Sequence, residues 1–164
     1  MTITSLKDLM GEQLKDLYSA ESQLRNAYGQ WSDAVTSDDL KDILQENISR
    51  SEKHSEVITQ ICDDLGLEPT GEKCHGMEGL IQEGHEFLED AEGDAVRDAG
   101  LIAMSQRIEH YGVAGYGCAR TYALQLDQDD AAEKLQQIIE EEARVDERMS
   151  DLAERVLNPE AVAA

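Results

Sequence analysis

Five side chains able to ligate a cation interrupt apolar helical faces in this sequence: Glu21, His54, Glu109, Glu142 and Asp146. Glu109 lies in the stretch RIEHYGVAGY (107–116) of a longer segment in which Ile102, Gln106, Glu109, Val113 and Tyr116 follow three- and four-residue steps and share one helix face. Glu21 falls in the stripe Leu14, Leu17, Glu21, Leu24, Tyr28, and His54 shares a face with Ser51, Ile58 and Ile61. Glu142 and Asp146, one turn apart, fall between Ile139 and Met149 with inward phase. A carboxylate pointing into a bundle costs several kcal/mol, ~3 or more, unless something pairs with it. Several on facing helices imply a cation, and oxygen ligands with one imidazole suit iron or manganese better than zinc. The competing reading keeps Glu21 as a stripe-edge acid bonded to a tyrosine hydroxyl and His54 as a core histidine bonded to a hydroxyl.

The elements that must position these groups are all helical. Apolar periodicity predicts helices over about 4–34, 38–65, 77–92, 94–126 and 130–157, the third a short crossover element. Ser5 with Asp8 and Thr36 with Asp39 have capping-box spacing, Gly66 suits a C′ position, and Asp94 and Asp130 suit helix starts. Residues 66–76 form the clearest loop; Glu72 and His75 there have E-x-x-H spacing off any helix, which reads as chance. Gly112, Gly115 and Gly117 each lower helix propensity by ~1 kcal/mol. They point to close helix contact or to a local bulge beside the site. His110 sits about 100° around the helix from Glu109, which suits a supporting or interface role and not a shared metal. Tyr18, Tyr111, Tyr116 and Tyr122 are expected to mix core packing with hydrogen bonds to carboxylates.

Composition bounds the function. The chain has 164 residues, 36 acids against 14 Lys plus Arg, and a net charge of −22. That size suits a single domain over 1–164 with a real core. Such charge disfavours nucleic acid and anionic membranes and attracts cations. No apolar run approaches the ~18–20 residues that span a membrane, so a cytoplasmic protein is expected. Cys62, Cys74 and Cys118 have no paired spacing. Reduced thiols are expected, with Cys62 and Cys118 in the core. No nucleophile, phosphate loop or acid/base pair of another enzyme class is visible.

The segments LYSAESQL (17–24), KCHGMEGLIQE (73–83), VRDAGLIAMSQRIEHYGVAGYG (96–117) and LQQIIEEEARVDERMSDLA (135–153) give the chain a resemblance to a known family. Over nearly its whole length it is similar to the YciE/YciF-type ferritin-like family of bacterial stress-associated proteins. The resemblance implies an all-α, ferritin-like antiparallel four-helix bundle with an additional short helix, often a homodimer, and a carboxylate site resembling that of rubrerythrin. Glu21, Glu109, Glu142 and Asp146 match candidate ligand positions, and His54 matches a polar position of the second helix. The usual Glu-x-x-His signature of such bundles is absent from the helices. Relatives tend to carry acids where this chain has Arg50 and Gly112. Both changes reduce the anionic charge available to two metal ions, and the Arg50 guanidinium can stand in for a metal beside Glu21 or Glu109.

Two main functions follow. One is a metal-binding stress-response protein, with iron (dinuclear or fewer) or manganese, that could oxidise Fe²⁺ with O₂ or peroxide. The other is a non-catalytic dimeric bundle whose inward acids pair with Arg50. A third, a generic acidic adaptor, requires the acids at 21, 109 and 142 to face solvent.

Overall fold

A computed structural model describes residues 2–164, and these contain helices and turns but no strand. The helices are α1 (Leu6–Ala34), α2 (Asp38–Leu65), α3 (His75–Asp90), α4 (Asp94–Gln125), α5 (Asp129–Leu152) and α6 (Asn158–Ala163). A π-helical turn, Ala153–Leu157, joins α5 to α6. The final helical segment therefore continues past Pro159. A proline ring at 159 crowds the carbonyl four residues earlier, at Arg155, and the wider π turn contains that residue. None of the described helices is long and apolar enough to cross a membrane.

Caps set the helix ends. Ser5 Oγ accepts from the Asp8 amide, while the Thr4 amide donates to Asp8. Gly66, at φ 65°, closes α2, and the Leu67 amide reaches back to the Cys62 carbonyl. Two expected caps are displaced. Ser37, not Thr36, caps α2 through the Leu40 amide, and Gly93 precedes α4, leaving Asp94 in its first turn. The Thr36 amide and hydroxyl and the Ser37 amide instead donate to Asp98 on α4, at 3.1, 2.9 and 2.7 Å. Asp98 thereby ties the start of α4 to the α1–α2 turn.

That tie sets the topology. The start of α4 lies at the end of α1, so α1 and α4 run antiparallel. Glu46 meets Arg148, and Asp64 meets Lys134, so α2 and α5 also run antiparallel. The four long helices close a ring in the order α1, α2, α5, α4, and α3 crosses outside α1 and α4. Its close approach needs glycine: a β-carbon on Gly84 would lie 2.2 Å from Trp31 Cζ2, and one on Gly100 would lie 1.9 Å from Phe87 Cζ.

The core has two apolar halves. Tyr28, Trp31, Leu40, Leu44, Leu101 and Met149 belong to one, and Met10, Leu14, Ile58, Ile61, Tyr116 and Leu135 to the other. Cys62 is buried as expected, but Cys118 is exposed. The buried stripe of α4 steps through Gly112, Tyr116, Ala119 and Ala123, which turns residue 118 outward. Cys74, in the sequence a loop residue, is buried as the cap of α3 and contacts Asp16 and Tyr111.

Candidate metal centre

Between the two apolar halves lies a belt of buried polar side chains, with Glu21 from α1, Asn47, Ser51 and His54 from α2, Glu109 from α4 and Glu142 from α5. Each replaces an apolar residue at a position where its helix faces the axis, which is why the phase of the stripes locates four of them. Their inward orientation removes the adaptor reading, which required acids 21, 109 and 142 in solvent.

The belt divides into two parts. In the first, Glu21, His54 and Glu142 each bring one donor atom within 4.8 Å of the other two, a group that could hold a metal ion. His54 Nδ1 faces this group, 3.2 Å from Glu21 Oε1 and 3.5 Å from Glu142 Oε1. Its Nε2 lies 3.0 Å from Glu141 Oε2 at the surface. A carboxylate behind the outer nitrogen orients an imidazole and fixes which nitrogen offers its lone pair inward. Ser51 and Tyr116 both donate hydroxyl hydrogen bonds to Glu21.

In the second part, one guanidinium nitrogen of Arg50, Nη2, lies 2.6 and 2.8 Å from the two oxygens of Glu109. Glu109 Oε1 also accepts from the Tyr28 hydroxyl at 3.1 Å and the Asn47 amide at 3.2 Å. Arg50 is 3.8 Å from Glu142 Oε1, so the cation stands between the two parts.

The electrostatics follow from this division. Burial alone would raise the Glu21 carboxyl, but His54, Ser51 and Tyr116 outweigh it and hold it below its usual range. Burial pushes Glu142 well above the carboxylate range, and the negative charges of Glu109 and Glu21 add to that despite Arg50. Burial opposes the charge on Arg50, yet Glu109 and Glu142 raise its pKa and keep it protonated. The belt thus holds an Arg50–Glu109 ion pair, a Glu21 carboxyl whose surroundings favour the charged form and a Glu142 carboxyl whose surroundings favour the neutral one.

Asp146 is not brought into this group. The buried stripe of α5 steps through Glu142, Val145, Met149 and Leu152. Asp146 lies at its edge, where it accepts from Gln106 Nε2 at 3.0 Å and sits 3.5 Å from His110. His110 is largely exposed and lies outside the belt. Gly112 backs Glu142, and a β-carbon there would lie 2.6 Å from Glu142 Oε2. A β-carbon on Gly115 would likewise lie 2.8 Å from Leu17 Cδ2, whereas one on Gly117 would point into open space. The sequence reading missed Asn47 and the partnership of Tyr28 with Glu109. Asn47 follows Ile43 and Leu44 in the buried phase of α2, and that phase was the available signal. Glu141 carried none, because it sits among solvated acids.

The donors fit one divalent cation at Glu21, His54 and Glu142. They do not fit two: Arg50 occupies Glu109, and the Glu142 carboxylate fills the space above Gly112.

Comparison with known proteins agrees with this architecture. Residues 5–162 match the family model described as a domain of unknown function, DUF892. Protein YciF of Escherichia coli (strain K12) is 36% identical over 162 residues, covering 98% of each chain. The crystal structure of the E. coli stress protein YciF superposes with a TM-score of 0.91 at 36% identity, covering 95% of this chain and 99% of that one. YcfI from Rhodopseudomonas palustris gives 0.87 at 30% identity, covering 90% and 94%. A ferritin-like, diiron-carboxylate protein from Bacillus anthracis str. Ames shares the fold at TM-score 0.71 and 17% identity, over 92% and 99% of the two chains. The chain belongs to the DUF892 family and has the ferritin-like fold.

Proposed function

We propose that this chain is a ferritin-like, metal-binding stress-response protein whose site takes one divalent iron or manganese ion. The observation that carries this reading is the convergence of Glu21, His54 and Glu142 donors within 4.8 Å of one another. Arg50 takes the role of a second cation by neutralising Glu109. Glu21 supplies an ionised ligand, His54 supplies Nδ1 with Glu141 supporting its far side, and Glu142 supplies an oxygen once its proton leaves. Uptake of the ion is therefore coupled to proton release. Bound iron would supply one-electron chemistry toward O₂ or peroxide at this carboxylate site. The chain's own residues position that reaction: Tyr116 and Ser51 orient Glu21, and the two apolar halves exclude water. The same reading carries the homodimer implied by the family resemblance, which sedimentation of the loaded protein tests.

The second reading is a metal-free structural bundle. It is favoured by the tight Arg50–Glu109 pair and by the hydrogen bonds that already satisfy Glu21. Anaerobic equilibrium binding of Fe²⁺ and of Mn²⁺ separates the two. The expected result is about one ion per chain, lost in His54→Ala and in Glu21→Gln. No binding, with thermal stability indifferent to a chelator, leaves the structural bundle. Two ions per chain contradicts the single-ion reading and requires Arg50 to move.

A further inference from the structure

The chain carries 36 acids and only 14 Lys and Arg, yet four of those cations meet on one outer wall. Arg50, Lys53, Arg144 and Arg148 line a groove of about 550 Å³ between α2 and α5, together with the acids Glu46 and Glu141. Residues 50 and 53 on α2, and 144 and 148 on α5, are three and four apart, so each pair shares one helix face. The ratio of acids to bases is thus inverted here relative to the whole molecule.

The two acids are already engaged. Glu46 Oε2 accepts from Arg148 Nη1 at 2.5 Å, and Glu141 Oε2 lies 3.0 Å from His54 Nε2. Lys53 and Arg144 enter no ion pair or hydrogen bond among the described residues. Arg50 lies deeper. Glu109 holds its Nη2, while its Nη1 is buried without a hydrogen-bond partner. A buried guanidinium nitrogen with no acceptor is a rarity that a ligand or water is expected to correct.

We propose that this groove is a binding site for a compact oxyanion of the phosphate class, held by Lys53 and Arg144 at the rim and by Arg50 at the floor. Guanidinium groups match tetrahedral oxyanions through paired N–H donors, and an ammonium adds a point charge. Val145 is the sole aliphatic residue of the lining, so the anion itself carries recognition. The bound anion shares Arg50 with Glu109, which places it next to the buried belt. The site does not depend on a bound metal.

The test uses the full chain after chelation, titrated with inorganic phosphate at constant ionic strength and followed by calorimetry and ³¹P NMR. Saturable binding of one phosphate per chain is expected. Lys53→Ala and Arg144→Ala each weaken it about tenfold, and the double variant abolishes it. Both positions are exposed, so the variants keep the wild-type melting temperature. Arg97→Ala, in the first turn of α4, outside the groove lining and paired with Asp94, leaves affinity unchanged. Glycerol phosphate in a parallel titration distinguishes the sources: tighter binding than inorganic phosphate indicates a phosphate on a larger molecule, and equal or weaker binding indicates the free anion. Absence of saturable phosphate binding, or binding indifferent to Lys53→Ala and Arg144→Ala, overturns the proposal.

Discussion

Arg50→Met isolates the central electrostatic arrangement. The Arg50 side chain is 14% exposed and that of Glu109 is 1% exposed. The substitution keeps the aliphatic stem and removes the charge, leaving Glu109 with the Tyr28 hydroxyl and the Asn47 amide as its donors. Removing one partner of a buried pair costs ~3–5 kcal/mol. The residual solvation of Arg50 and the two remaining donors place this case at the lower end, ~3 kcal/mol. At ~2–4 °C per kcal/mol for a chain of this length, the melting temperature should fall by roughly 6–12 °C. Circular dichroism at neutral pH, with urea titrations in parallel, measures it. The double variant Arg50→Met/Glu109→Gln should recover most of the loss, because no uncompensated charge stays buried and the amide still accepts from Tyr28. If Arg50 stands in a second cation's place, Mn²⁺ should stabilise Arg50→Met more than wild type, by ~2.7 kcal/mol at a hundredfold excess over Kd. A single variant that melts within ~2 °C of wild type, or a double variant no better than the worse single one, refutes the reasoning.

Three further outcomes are expected. Gly84→Ala drives a β-carbon to 2.2 Å from the Trp31 ring, which should cost ~1–3 kcal/mol in urea unfolding, and a neutral effect would mean α3 lies farther out. Thiol labelling at pH 8 should modify Cys118 in the native chain and reach Cys62, pushed up to about 11 by burial, and buried Cys74 only on unfolding. Burial first, and then the charges of Glu109 and Glu21, raise the Tyr28 and Tyr116 hydroxyls well above the usual phenol value. Their preference for the neutral form is complete below about pH 10, the unfolded value, and is lost as pH climbs toward the folded values. Phenolate absorbance from these two should therefore appear together with loss of helicity, and ionisation of all five tyrosines in an intact bundle would contradict it.

Helices α1, α2 and α5 were legible because each carries a long apolar stripe of helical period, and α2 ends at Gly66 as expected while Ser37 in place of Thr36 caps its start. The same stripes revealed Glu21, His54, Glu109 and Glu142, since a charge inside an apolar phase is conspicuous. Asp146 misled because one helical turn from Glu142 is only approximately the same direction; the stripe turned toward Val145 instead. Asn47 escaped notice for the opposite reason: a neutral amide in a polar stretch does not stand out, although it donates to the most buried carboxylate. The tie between Asp98 and the α1–α2 turn joins residues about sixty positions apart and has no local signature. The π turn before Pro159 likewise needs the packed helix to declare itself, since a proline at that position reads locally as a stop.

The Glu142 carboxylate resting over Gly112 makes the order of mutations matter. A larger residue at 112 collides with Oε2 while Glu142 keeps its place. A shorter residue at 142, introduced first, leaves a void against bare helix backbone and loses a donor. Either single change disturbs the fit between the two positions, and a paired change that exchanges volume from 142 to 112 keeps the core filled. The two positions are therefore coupled: a side chain at 112 fits only if the carboxylate end of Glu142 swings aside, so the effect of a substitution at one position depends on the residue at the other.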